Sequence, residues 1–394
     1  MHIARPSIVD RGSTVALTAN LTYHGRTHTV WFSVAPDWAK FLDIDNLDPF
    51  VVGALPLALR LGDPIYAAAR VSARLLFALN TAVPALVAQT GGDYRPIKVR
   101  VAQAVDYAPP PPYSRAVATG FSGGIDSFAV LADHLGPAVL PAHRLTHLLF
   151  SNVGSFDPRS ADACLQRSPA LHECARQLHL PVVTVDSNLA ELHGHESFLR
   201  DHAFRHIAAS LVLQSLIGTH LYAAGTRYED CFVRGPTALP AAWDPVLLPH
   251  LSTERLRVVS VGGQYSRVQK TELVAGFPLS HRYLHVCSSS PDGRNCSTCW
   301  PCIRTLLTLE LLGHLETYRE VFDLPAYVRV RSRAIVEMLR SDDPLWVEVR
   351  ELARDRGHQF PAALRLAAAL PGPVLKAARR ALPGGLKRQI ASLR

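Results

Sequence analysis

The sequence predicts an α/β protein: a parallel, doubly wound sheet, preceded by a small α+β domain and followed by a helical, basic tail. Three observations carry this. From Arg115 onward, short apolar runs suited to buried strands alternate with stretches of helical periodicity, the pattern that builds a parallel sheet covered on both faces. Before it, alternating apolar and polar residues read as a hairpin and two helices. Between them lies Pro109-Pro110-Pro111-Pro112, which fixes φ, removes backbone donors and favours an extended spacer. The predicted boundaries are an N-terminal domain over 1–108, a linker over 109–114, the sheet domain over 115–315 and the tail over 316–394.

In the N-terminal domain, Thr14 to Tyr23 and Thr27 to Val34 flank the turn residues His24-Gly25-Arg26, so they pair as a hairpin. Asp48-Pro49 opens an apolar helix through Leu61, with Asp as the cap and Pro in the first turn. A second helix is expected over about Ser72 to Gln89, then a strand near Ile97 to Val105. No chemical motif is visible there. In the sheet domain the expected strands are Ala116 to Thr119, Thr146 to Phe150, Pro181 to Val185, Leu221 to Ala224 and Arg257 to Val261. The expected helices are Asp126 to Leu135, Ser160 to His179 and Ser197 to Ile217. The tail ends with Lys376, Arg379, Arg380, Lys387, Arg388 and Arg394 among leucines and alanines, a pattern suited to a solvated helix or to contact with RNA or anionic lipid.

Charged residues make up 19% of the chain and no run reads as a membrane span, which predicts a folded, non-spanning protein. The start of the chain lacks the apolar segment of a signal peptide, so a cytoplasmic location is expected. The net charge of +8 suits a nucleotide, RNA or an acidic surface without choosing among them. Four of the seven cysteines crowd into sixteen residues, which points to metal binding rather than a disulfide framework.

The sharpest motif is Ser122-Gly123-Gly124-Ile125-Asp126-Ser127, between a predicted strand and a predicted helix. Two glycines let backbone approach a ligand closely, and the helix N-terminus presents partial positive charge to an anion. Ser122 and Ser127 carry hydroxyls that can donate to phosphate. Asp126 is suited to Mg²⁺ or to holding the loop's shape. A Walker A loop is excluded, since no Gly-Lys-Ser/Thr closes the string. Further along, Cys287, Cys296, Cys299 and Cys302 form C-x8-C-x2-C-x2-C. Four thiolates complete a tetrahedral Zn²⁺ with no open position, the pattern of structural zinc, and the same ligands also suit an iron–sulfur cluster.

The loop resembles the Ser-Gly-Gly-x-Asp-Ser signature of the PP-loop (N-type) ATP pyrophosphatases. The four-cysteine spacing, with Arg304 just after it, is similar to that of the 7-cyano-7-deazaguanine synthase family within that class. The resemblance covers roughly Arg115 to Leu312. It implies an adenine nucleotide alpha hydrolase-like fold that uses ATP, Mg²⁺ and Zn²⁺ and holds nucleotide at Ser122, Gly123, Gly124, Ile125, Asp126, Ser127, Arg205 and Gly225. It implies catalytic roles for Asp126 and Lys270, the latter in Lys270-Thr271-Glu272. The reaction it implies is adenylation of a substrate carboxylate with release of pyrophosphate. AMP is then displaced by ammonia or an amine, giving an amide or nitrile. A deazapurine is the implied substrate class, a protein or RNA acceptor and a homodimer are further expectations, and natural-product and anti-phage pathways are where divergent relatives act. The chain departs from the family at Phe204-Arg205-His206, which keeps only the Arg of a Gly-Arg-Asn, and at Gln269, where the family carries Asp. Two other readings use the same loop: a tRNA-thiolating enzyme, with Cys231 beside Asp230 as the sulfur carrier, and a non-catalytic nucleotide binder. His193-Gly194-His195 reads as polar loop.

Overall fold

In the computed structural model, the residues described are 1–89, 94–108, 115–155, 161–194, 198–233, 240–289 and 292–370. The proline-rich linker at 109–114 and the six basic tail positions from Lys376 to Arg394 lie outside them. The chain forms two compact units.

The first unit comprises Met1–Ser122, Val130–Cys164 and Ser168–Gln264 and holds the whole sheet. Its strands are β1 (His2–Ile3), β2 (Ser7–Asp10), β3 (Val15–Tyr23), β4 (Arg26–Val34), β5 (Ile65–Ser72), β6 (Val99–Val105), β7 (Ala116–Gly120), β8 (His147–Asn152), β9 (Val182–Ser187), β10 (Ile217–Ala223) and β11 (Arg257–Val261). They run in the order β11-β10-β7-β8-β9-β4-β3-β1-β5-β6, with β2 beside β3. From β11 to β9 every pairing is parallel. The chain steps outward from β7 to β8 and β9, then returns to the other side of β7 for β10 and β11. The order reverses at β7, and ligand crevices of open parallel sheets form at such a reversal. The loop Phe121–Gly124 leaves the carboxyl end of that strand.

The strands on either side of the proline-rich segment belong to one sheet. β4 pairs antiparallel with β9, at Phe32↔Ser187 and Ser33↔Asp186. The expected hairpin forms as β3 and β4, with Tyr23 opposite Arg26. His24 (φ 47°) and Gly25 (φ 72°) take the left-handed backbone that a tight two-residue hairpin turn requires. Three strands went unforeseen: the short β1, the exposed β2, and β5, whose residues Ile65, Ala67, Ala69 and Val71 point inward at every second position. The helix predicted over Ser72 to Gln89 is two, Ala73–Asn80 and Ala82–Val87, broken at Thr81.

Asp48 does not cap its helix as expected. Leu47 is the N-cap and makes no side-chain cap bond, while the fully buried Asp48 carboxylate accepts from Ser72 N, Asn46 Nδ2 and Gln214 Nε2 at 2.8–2.9 Å. A buried carboxylate is tolerable only when its oxygens are so occupied. A second buried network sits where the helices Asp48–Leu61 and Phe198–Val212 pack together. Asp201 accepts from Arg60 Nη1 at 2.8 Å and Tyr94 Oη at 2.5 Å, with Arg205 Nη2 3.5 Å away.

The second unit comprises Gly123–Ala129, Leu165–Arg167 and Tyr265–Arg394. Its described part is helical, with helices at Arg267–Ala275, Trp300–Leu311, Leu324–Arg340, Pro344–Asp355 and Ala362–Ala369. Glu310 and Arg331 form a two-pronged ion pair joined by Tyr327 Oη. Among the described residues no helix is long and apolar enough to cross a membrane.

Candidate functional site

Gly123 has φ +74°, the left-handed backbone that favours glycine, whereas Gly124 does not. This turn delivers the chain into the helix Ile125–His134. Gly124 O accepts from Phe128 N and from Ser127 Oγ, each at 3.0 Å. The Ser127 hydroxyl therefore bonds the loop's own backbone. Gly123 O accepts from His285 N at 2.7 Å, so the residues leading into the cysteine cluster brace the loop. Ile125 is buried beneath it and Ser122 is exposed.

Asp126 stands in the first turn between two cations. Its Oδ1 lies 2.9 Å from Lys270 Nζ and its Oδ2 2.9 Å from Arg267 Nη1. Burial works to raise the carboxyl, but Arg267 and Lys270 outweigh it and hold Asp126 below the usual carboxylate range. Lys270 is buried, at 2% exposure. Its helix starts at a capping box, in which Ser266 Oγ accepts from Gln269 N and Gln269 Oε1 from Ser266 N. Gln269, a departure from the family pattern, thus fixes the turn that carries Lys270. Glu272 instead pairs with Arg356 at the surface.

Cys287, Cys296, Cys299 and Cys302 come together with all four Sγ atoms within 4.8 Å of one another. A tetrahedral zinc with Zn–S bonds near 2.3 Å needs sulfurs about 3.8 Å apart, and Cys287 and Cys299 are 3.8 Å apart. The donor set fits the ion. Hydrogen bonds from Cys299 and Cys302 drive the Cys287 thiol down, while Cys299 and Cys302 are driven up; sulfurs this crowded compete to be the thiolate. Asn295 organises the loop. Its Oδ1 accepts from Val286 N and Cys287 N, and its Nδ2 donates to Leu284 O and Val321 O. Cysteine spacing gave no sign of Asn295, because its role is to satisfy backbone groups that only the fold brings near.

The remaining candidates belong to the sheet unit. Arg205 is wholly buried; its guanidinium donates to Val153 O and Gly194 O, linking the end of β8 to the residues after β9. Gly154 beside it has φ +88°, and a Cβ there would lie 2.9 Å from Arg205 Nη1. Gly225 follows β10 in the open, where a Cβ would make only an ordinary contact with Ala241. The tight glycine in this region is Gly263, where a Cβ would collide with the Tyr228 ring. Glu229 and Asp230 both pair with Arg227. Burial and Asp230 push the Cys231 thiol up, the reverse of an activated sulfur nucleophile. His193 sits inside the network, Nε2 2.6 Å from Gly53 O and Nδ1 3.1 Å from Arg60 Nη2; His195 lies outside the described residues. Comparison with family models, characterised proteins and solved structures finds no match.

Proposed function

We propose that this chain is an ATP-dependent ligase that adenylates a carboxylate, with Gly123, Gly124 and the first turn at Asp126 receiving the phosphates. The observation that carries this reading is the ion cluster at that turn: an ionised Asp126 held between Arg267 and the buried Lys270, directly after a left-handed glycine. A buried lysine beside backbone amides opposes the negative charge that builds on phosphate oxygens in transfer. The carboxylate oxygen of the substrate attacks the α-phosphorus, the bond to the β-phosphate oxygen breaks, and pyrophosphate leaves. Ammonia or an amine then takes the acyl carbon and AMP departs.

The strand order around β7 supports a doubly wound, PP-loop-type fold, and with the cysteine cluster it favours a divergent relative of the 7-cyano-7-deazaguanine synthases. A deazapurine carboxylate is then the substrate class. Zinc held by the four cysteines would have a structural role. Asp126 is the residue to hold Mg²⁺, which when bound would offset triphosphate charge. Each Asp126 oxygen already faces a cation, so holding the metal would require Arg267 or Lys270 to turn from the carboxylate, toward the phosphates. Ser122, exposed at the strand end, carries a hydroxyl of the kind that donates to phosphate, and Arg205 fixes the loops after β8 and β9. The test is chromatography of a turnover reaction with candidate deazapurine carboxylates and ammonia. AMP and pyrophosphate are the expected products, and ADP as the main product would remove the reading.

A further inference from the structure

The helical unit carries a concave site that the proposed phosphate transfer does not use. A pocket of about 330 Å³ opens between the cysteine loop and the helix Leu324–Arg340, bounded by Ser288, Ser289, Thr298, Trp300, Ile303 and Arg333, among others. That volume lies at the small end of the range for ligand sites. Trp300 is 43% exposed, although its ring packs edge-on against the buried Trp346. A large indole anchored against Trp346 and still partly exposed to solvent is suited to stacking. The Arg333 guanidinium stands over the Trp300 ring, 5.9 Å from its centre, so a planar group on the exposed part of the indole would meet a cation at the same ring. Hydroxyls of Ser288, Ser289 and Thr298 supply hydrogen-bond capacity, and among the described residues no carboxylate lines the pocket. The helix that bears Arg333 has four arginines and one glutamate.

We infer that this pocket binds an unpaired nucleotide of single-stranded nucleic acid, with the base on Trp300 and its phosphate at Arg333. The chemistry required is an aromatic ring joined to an anion. Stacking on an exposed aromatic beside arginine is how unpaired bases are held without pairing to a strand. A free mononucleotide has the same groups. Arg333 as the one cation among the described lining residues, and the exposure of Ser288, Ser289 and Thr298, favour a unit delivered by a strand over a small ligand enclosed for itself.

The test is fluorescence anisotropy of a labelled single-stranded ten-nucleotide RNA titrated with the full chain, zinc loaded, at two salt concentrations. Trp300→Ala and Arg333→Glu should each weaken binding at least tenfold, and Trp300→Phe should restore most of the loss. Arg333 is at the surface, so its reversal leaves the fold in place even where Trp300→Ala disturbs the cysteine loop. Gly124→Ala should leave RNA binding unchanged, which separates this pocket from the proposed phosphate loop. The inference is overturned if Arg333→Glu binds RNA as the parent does. It is equally overturned if AMP competes at the concentrations at which the oligomer binds, or if an acidic peptide or anionic vesicles displace the RNA while the RNA shows no dependence on Trp300.

Discussion

Lys270 Nζ lies 2.9 Å from Asp126 Oδ1, and this contact joins the first turn after the glycine loop to a helix 144 residues further along the chain. Lys270 is almost wholly buried while Asp126 is about one-quarter exposed, so the lysine's charge is the more desolvated of the two. Asp126→Asn should therefore destabilise the protein by about 2 kcal/mol. That is below the 3–5 kcal/mol of a fully dry pair, because Asp126 is partly screened by water. Urea denaturation at pH 7 reads this directly. A variant as stable as the parent would mean that the lysine is held by something other than this carboxylate.

The depressed Asp126 pKa sets the sign of one pH effect and the buried histidines set another. Burial pushes His193 and His220 to about 4 and, helped by neighbouring positive groups, His206 to about 3. The unfolded chain binds these protons as pH falls through about 6.5, whereas the folded chain refuses them until near 4. Stability present above pH 6.5 should fall by up to about 1.4 kcal/mol per pH unit for each histidine between those limits. Asp126 adds its own loss only below the ordinary carboxylate range. Urea midpoints at pH 7.5 and 5.5 should differ clearly, and His206→Gln should narrow the gap. Equal midpoints in the parent would refute the buried neutral assignments.

What could be read without coordinates followed from local physics. The Ser122–Ser127 string between a strand and a helix, and the strand Arg257–Val261, predicted to the residue, each depend on neighbours in sequence. The cysteine cluster did too, since four cysteines within sixteen residues mark a candidate metal site by their spacing alone. What stayed hidden depends on distant partners. Arg267 gives no sign of meeting Asp126, and Asp48 looks like a helix cap until Gln214 arrives from 166 residues away. The run at Ile65 to Ser72 looks weak because three alanines supply its inward and outward faces alike. The pairing of β4 with β9 leaves no trace in either strand, because backbone pairing does not mark side chains.

Removing metal tests the cysteine centre. One zinc per chain is expected, and Cys296→Ser or a strong chelator should lower the melting temperature and expose Asn295 and its neighbours to hydrogen exchange. Structural zinc contributes on the order of 10 kcal/mol to ordering its ligands, and Ser297, between Cys296 and Cys299, braces the start of the helix Leu324–Arg340 through its Oγ, which accepts from Asp323 N. Iron in elemental analysis, or a metal-free protein with unchanged melting, would refute the assignment.

The two loop glycines should fail differently when changed. Gly123 holds φ +74°, where an L side chain costs about 1–2 kcal/mol, so Gly123→Ala should lose stability by that amount and distort the carbonyl that His285 N contacts. Gly124 has no such backbone, so Gly124→Ala should melt within about 0.5 kcal/mol of the parent. If phosphate lies against this loop, the added methyl group would hold it away from the amides. Each lost hydrogen bond to a charged acceptor costs about 1.5–3 kcal/mol, which is at least tenfold in affinity. Calorimetric titration with a non-hydrolysable ATP analogue, beside thermal melts of both variants, separates strain from recognition. Should Gly124→Ala bind the analogue as tightly as the parent, the loop does not cradle phosphate, and the ligase reading built on it falls with it.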